Sequence, residues 1–207
     1  LFSWGGRHAS GGWEPTDAYT LVGPDPEHVG SLREEAMRLS NLTLSLREVH
    51  HRGLAHKGIW LFVVDSDGLV LVLKRGKDLK TCPSTWGLVG EHFRPGEKWE
   101  DAARRAVEEE LGASMVKHVR TSTNITAHWV WFFCDYGGGR VDRQATVPWL
   151  LVLDKPHKAL PLHLDEEVAA WKWVTPDNLF GWLKERPDDF CSPAMRSLFN
   201  AIEPPFR

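Results

Sequence analysis

The chain has 207 residues, of which 42% are hydrophobic and 26% charged, and 28 acidic side chains against 25 basic ones give a net charge of −3. That length suits one domain with a filled core plus an added arm. The slight acidity gives no support for a nucleic-acid or anionic-membrane surface, and the apolar runs Gly58–Val64 and Val147–Leu153 are far too short to span a bilayer.

No basic, then apolar, leader opens the chain, and its first residue is Leu rather than Met. The expected setting is intracellular and reducing, cytoplasmic or organellar with a leader removed. Cys82, Cys134 and Cys191 are few, odd in number and widely spaced. They predict reduced thiols and argue against a disulfide scaffold or a zinc site. The triplets at Asn41 and Asn124 have the form of glycosylation sequons and read as ordinary residues.

Residues 1–24 are rich in Gly, Ser and Pro and predict an extended arm. Asp25-Pro26 opens a helix to about Leu39, with Ser31-x-x-Glu34 as a local cap. Residues 1–43 thus form an arm and helix ahead of one domain over 44–203. Next come His50, His51 and His56 around a turn at Gly53. His50 and His51 read as turn-flanking residues that bind nothing, and the role of His56 stays open. Two apolar strands, Gly58–Val64 and Leu69–Leu73, flank an Asp/Gly turn and predict a hairpin. A basic loop follows, from Lys74 to Lys80.

Glycines 90 and 96 bracket a loop, and a helix then runs to a stop at Gly112. On that helix Arg105 and Glu109 are four apart and share a face, with Glu110 beside them. Ala103, Val107 and Leu111 recur at the spacing of a buried stripe. Beyond the helix the pattern predicts strands over Met115–Thr121, His128–Tyr136, Val147–Leu153 and Trp171–Val174. Gly137-Gly138-Gly139 reads as a turn, and Thr175-Pro176 caps a helix through Leu183. A last helix lies near 193–202. The eleven tryptophans mostly fill the core and strand faces.

The residues from Glu91 to Ala113 resemble the Nudix box, Gly-x5-Glu-x7-Arg-Glu-apolar-x-Glu-Glu-x-Gly-apolar. Glu97, Arg105, Val107, Glu109, Glu110, Gly112 and Ala113 all fall in place. Two positions depart: Glu91 stands at the first glycine and Ala106 at the first helix glutamate. The resemblance extends over about residues 44–200. Arg47-Glu48-Val49-His50, with Gly53, Leu54 and His56, also resembles the entry segment of the isopentenyl-diphosphate-isomerase-like branch, where His92 matches a metal-ligand histidine.

This resemblance implies an α/β fold, a Nudix-type α/β/α sandwich with a mixed central sheet, as a single domain plus N-terminal arm. It implies Mg²⁺ (or Mn²⁺) held by Glu109, Glu110 and the Gly90 carbonyl, with Arg105 orienting a carboxylate and Glu97 as its partner. Glu91, or Glu166 and Glu167 on a later loop that can supply a ligand or base, could offset the missing carboxylate at 106, and Glu166 is counted among the catalytic residues. Arg75, then Lys80, would contact the diphosphate of a small-molecule substrate. The implied activity is hydrolysis of a diphosphate linkage in a nucleoside or prenyl diphosphate. A catalytically impaired binding or assembly module is the alternative. Isomerase chemistry is the least supported, because Gly90 replaces the required cysteine and no acid lies in Ala127-His128-Trp129.

Overall fold

The computed structural model describes residues 15–16, 44–79, 82–94, 96–125 and 130–191. The expected helices near 26–39 and 193–202, and Lys80, lie outside the described residues. β1 (Pro15–Thr16) pairs antiparallel with β2 (Leu44–Ser45). Ser45 then caps a short helix, α1 (Leu46–Arg52), its hydroxyl accepting the Glu48 backbone N–H at 3.3 Å. The expected turn at Gly53 closes this helix at φ 60, where glycine avoids the Cβ penalty.

Two long strands carry the sheet. β3 (Ala55–Val64) and β9 (Val141–Leu153) run parallel over the whole length of β3, from Ala55↔Arg143 to Val64↔Val152. Each changes its outer neighbour partway along. β3 pairs with β6 (Val89–His92) over Gly58–Leu61, and with β4 (Val70–Arg75) only at Val64↔Val70. β9 pairs with β8 (Val130–Asp135) over Val141–Thr146, and with β7 (Val119–Asn124) over Trp149–Leu153. β5 (Trp86–Gly87) and β10 (Val168–Val174) pair with β4 and complete a mixed sheet of eight strands among the described residues. This is the expected α/β fold with a mixed central sheet.

The predicted hairpin therefore closes at its turn and then splays apart, because β4 turns its ladder to β10 and β5. Asp65 holds the turn, Oδ1 accepting the Asp67 and Leu69 N–H groups at 3.0 and 2.9 Å.

Helix α2 (Trp99–Leu111) packs on β6 and β3. Its Ala102, Ala103, Ala106, Val107 and Leu111 join Ile59, Leu61, Val63, Leu71 and Leu88 in one buried cluster. Small residues at 102, 103 and 106 let the helix lie close on the strands, which places its glutamates against β6. After β10, α3 (Pro176–Glu185) begins where expected, Thr175 Oγ1 accepting the Asn178 N–H at 3.2 Å.

The structure corrects three expectations. Residues 113–118 form a 3-10 helix rather than a strand, with Met115 N donating to the Gly112 carbonyl at 2.9 Å. Met115 and His118, three apart and both buried, fit the three-residue repeat of that helix. β9 starts at Val141, six residues before the predicted strand, because Asp142, Gln144 and Thr146 are polar yet buried. Finally, the thiols are not all reduced: Cys82 and Cys191 form a disulfide with Cα atoms 5.4 Å apart. The bridge Trp86↔Phe190 and the Cys191 N–H bond to the Trp86 carbonyl (3.1 Å) bring these distant segments together. The disulfide is at odds with the reducing setting expected for the chain. Cys134 is the leftover thiol and is half-buried.

This crosslink closes a separation of 109 residues. Reducing it should cost about 2–5 kcal/mol of stability, read as a lower denaturation midpoint with reductant. A Cys82→Ser variant should show the same loss without reductant and no further loss with it.

Candidate functional site

The site is organised by Arg105, mostly buried on the side of α2 that faces β6. Its Nε and Nη2 donate to the two carboxylate oxygens of Glu97 at 2.8 and 2.9 Å, the bidentate geometry that a planar guanidinium favours. Nη2 also donates to the His92 carbonyl at 2.6 Å, and Nη1 lies 3.1 Å from Glu109 Oε2 and 3.2 Å from Glu91 Oε2. Burial would lower the Arg105 guanidinium, but the hydrogen bond and charges from Glu97, Glu91 and Glu109 outweigh it. Glu97 Oε2 accepts the Arg94 N–H as well (2.9 Å), tying off the loop before the helix. Arg105→Lys cannot keep this fork. We expect it to lose about 1.5–3 kcal/mol, the worth of a hydrogen bond to a charged group, in a chemical denaturation series.

The carboxylates around Arg105 differ in kind. Glu109 is a quarter exposed, and each of its oxygens meets an arginine, Arg94 at 3.0 Å and Arg105 at 3.1 Å. Glu110 is buried, on the same helix stripe as Ala106. Burial, then the charges of Glu91, Asp165, Glu109 and Glu167, push the Glu110 carboxyl well above its ordinary range. Glu91, on β6, is also buried, and its Oε1 accepts the His92 backbone N–H at 2.6 Å. Burial pushes its carboxyl up to about 8 against the pull of Arg105.

Sequence reasoning named Glu109 and Glu110 as an equal pair. In the structure Glu110 is buried and feels the charge of Glu91 on β6, while Glu109 is held by its two arginines. Gly90 sits beside them on β6, opposite Trp60 of β3.

The later loop reaches the same place. Glu110 feels the charges of Asp165 and Glu167, whereas Glu166 is exposed. Gly76 N donates to the Glu167 carbonyl at 2.8 Å, which seats that loop against the end of β4. Arg75 there is buried, and the charges of Glu167, Tyr136 and Glu110 oppose the lowering that burial imposes on it. Arg75 thus lies among the carboxylates.

The donor set suits a hard cation. Carboxylates on β6, α2 and the 165–167 loop act on Glu110 together, and the buried Glu91 Oε2 has the Arg105 ion pair at 3.2 Å without a hydrogen bond to a described residue. Mg²⁺ and Mn²⁺ take such oxygen ligands, and Mg²⁺ usually shares them with substrate phosphates.

A second group lies elsewhere on the sheet. His50, His56, His92 and Asp142 are all buried and present ligand atoms within 4.8 Å of one another. His51, by contrast, is exposed. Burial pushes the His50 ring down to about 3 and lowers His56 and His92 as well, so the three rings are neutral. The sequence offered His56 and His92 as open or matching positions, but not Asp142, which lies between the predicted turn at 137–139 and the predicted strand from Val147.

The family model of the NUDIX domain matches residues 54–192. Among curated relatives, the nucleoside triphosphatase NudI of Escherichia coli O1:K1 is 30% identical over 123 residues, 56% of this chain and 80% of that protein. Among solved structures, DR0079 from Deinococcus radiodurans aligns with a TM-score of 0.52 at 16% identity, over 73% of this chain and 83% of its own. The MutT protein from Methanosarcina mazei Go1 aligns with a TM-score of 0.52 at 20% identity, over 73% and 94%.

Proposed function

Because the chain belongs to the NUDIX domain family, we propose that it is a Mg²⁺-dependent hydrolase that cleaves a diphosphate linkage in a small molecule. Nucleoside phosphates are the first substrate class, since NudI is a nucleoside triphosphatase; prenyl diphosphates are the second. The observation that carries this reading is the pairing of Glu91 with Glu110 beside Arg105.

Position 106 lacks the carboxylate of the usual box, and Glu91 supplies one from the opposing strand. Glu91 and Glu110 would hold the cation, with the Gly90 carbonyl and Glu109 at its edge. When bound, the cation neutralises charge on the linked phosphates and lowers the pKa of a water. Arg105 keeps Glu91 and Glu109 in place through its contacts at 3.2 and 3.1 Å. Glu97 fixes the guanidinium in turn. Arg75 offers positive charge to the phosphates from the end of β4. Glu167, whose charge reaches Glu110, is our choice over the exposed Glu166 to accept a proton from the attacking water.

The test is a phosphate- and pyrophosphate-release screen over nucleoside triphosphates, nucleoside diphosphates and prenyl diphosphates, with and without Mg²⁺. We expect Mg²⁺-dependent product from the nucleoside class and its loss in Glu167→Gln, with Glu166→Gln close to wild type. The buried Ala106 is what favours a binding module instead. Metal binding without product from any of these substrates would select that reading.

A further inference from the structure

Cys82 and Ser84 hold left-handed backbone, at φ 46 and φ 62, although neither is glycine. A side chain in that region is strained and persists only where its surroundings over-determine it. Part of those surroundings is the crosslink from Cys82 to Cys191. We propose that this disulfide is a redox switch, which holds Arg75 and Glu167 in their working positions and releases them on reduction. The proposal rests on the reading of those two residues as the phosphate contact and the proton acceptor.

The connection runs through the backbone. Thr85 closes the turn, its hydroxyl donating to the Cys82 carbonyl at 2.8 Å. The Thr85 carbonyl accepts the Arg75 N–H at 2.9 Å, and Ser84 N donates to the Gly76 carbonyl at 3.4 Å. Gly76 N donates in turn to the Glu167 carbonyl at 2.8 Å. A Cβ at Gly76 would stand 3.1 Å from that same oxygen, so the two segments touch with little slack. A short run of hydrogen bonds therefore joins Cys82 to both site residues.

The two ends of the crosslink differ in what else secures them. Cys191 is 1% exposed, and its N–H donates to the Trp86 carbonyl at 3.1 Å. Phe190 meets the Trp182 ring edge-on at 4.9 Å, and Trp182 meets Trp86 likewise at 5.2 Å. Lys172 Nζ lies 4.8 Å from both indole centres, a cation–π contact on each. This packing keeps the Cys191 side seated without the disulfide. Cys82 is only partly buried, and Pro83 and Ser84 after it are exposed. The strained turn is the side that relaxes.

Access also favours attack at Cys82, since exchange needs a sulfur that the reductant can reach. The reductant is a dithiol. Its thiolate bonds to Cys82 Sγ and expels the Cys191 thiolate, which takes a proton. The second thiol of the dithiol then displaces Cys82, which is protonated in turn. Two electrons pass to the protein, and the dithiol leaves as a disulfide. The oxidised form of the same couple reverses the step.

The test compares the full chain oxidised and reduced with dithiothreitol, by amide exchange in NMR and by calorimetry with Mg²⁺ and pyrophosphate. Exchange at Arg75, Gly76 and Ser84 should quicken on reduction, while the Ala102 amide, bonded to the Lys98 carbonyl in α2, stays protected. Pyrophosphate binding should weaken about 5- to 150-fold, the usual range of coupling between two sites. Linkage is reciprocal, so saturating Mg²⁺ and pyrophosphate should shift the dithiol equilibrium toward the protein disulfide by the same factor. Cys191→Ser should match the reduced protein and ignore reductant, and Cys134→Ser should follow the wild type. Unchanged exchange at Arg75 and Gly76, or a rise at Ala102 as large as theirs, would overturn the switch and leave the crosslink a plain staple. So would tight pyrophosphate binding that is equal in the two redox states. Pyrophosphate that binds neither form would remove the phosphate reading of the cleft instead, with the exchange pattern still deciding the switch.

Discussion

Glu110→Gln is expected to lower Mg²⁺-dependent turnover about 100- to 1,000-fold, the scale on which one group aimed at developing charge acts, while leaving the fold intact. The reasoning starts from burial. Glu110 is 3% exposed and feels the like charges of Glu91, Asp165, Glu109 and Glu167. Without a cation, ionising it costs free energy, since burial and like charges both oppose the anion. A neutral amide of the same shape removes that cost and also removes the ligand. Metal-free Glu110→Gln should therefore melt at or above the wild-type temperature even as activity collapses. A variant that lost activity through misfolding would melt lower, so one pair of measurements separates the two causes.

Ala106→Glu is the second large effect, and its sign runs against the simple reading of the box. Restoring the family glutamate would seem to repair the site. Yet Ala106 is wholly buried, its stripe already holds Glu110, and Glu91 comes from the facing strand. A third buried carboxylate there has no partner, and we expect a loss of about 3–5 kcal/mol, the cost of an uncompensated buried charge. Pairing it with Glu91→Gly removes one anion and opens space on β6. The double variant should regain most of the lost stability and show Mg²⁺-dependent turnover, whereas Glu91→Gly alone should be inactive. Such non-additivity is the mark of two side chains filling one place. A double variant with turnover no higher than Glu91→Gly would show that Glu91 does not stand in for the missing carboxylate.

Much of this was legible in the chain because the box is local. Glu97, Arg105, Glu109 and Glu110 lie within fourteen consecutive residues, and helical spacing alone puts Arg105 and Glu109 on one face. Gly112 marked the end of the helix, and Thr175-Pro176 marked the start of another. What stayed hidden depends on strand pairing over long separations. Nothing local ties Asp142 to His56, because the parallel register of β3 and β9 sets them together across more than eighty residues. Its polar neighbours Gln144 and Thr146 disguised the strand, since buried polar residues that satisfy one another look like a loop in sequence. The disulfide was hidden for the same reason, and an odd count misled because one thiol simply stays unpaired. Glu91 was visible as a departure from the pattern and as one of several carboxylates that could offset Ala106. Its meaning needed the geometry that sets it against Glu110. Ser45-x-x-Glu48 is a signal that could have been read, as it announces the α1 that carries His50.

The most direct measurement is diffraction from crystals soaked in Mn²⁺, with anomalous scattering collected to locate the ion. The expected result is a manganese peak between the Glu91 and Glu110 carboxylates, within coordinating distance of both. A peak bound by Glu109 alone at the rim, or no peak beside Glu110 at saturating Mn²⁺, would contradict it.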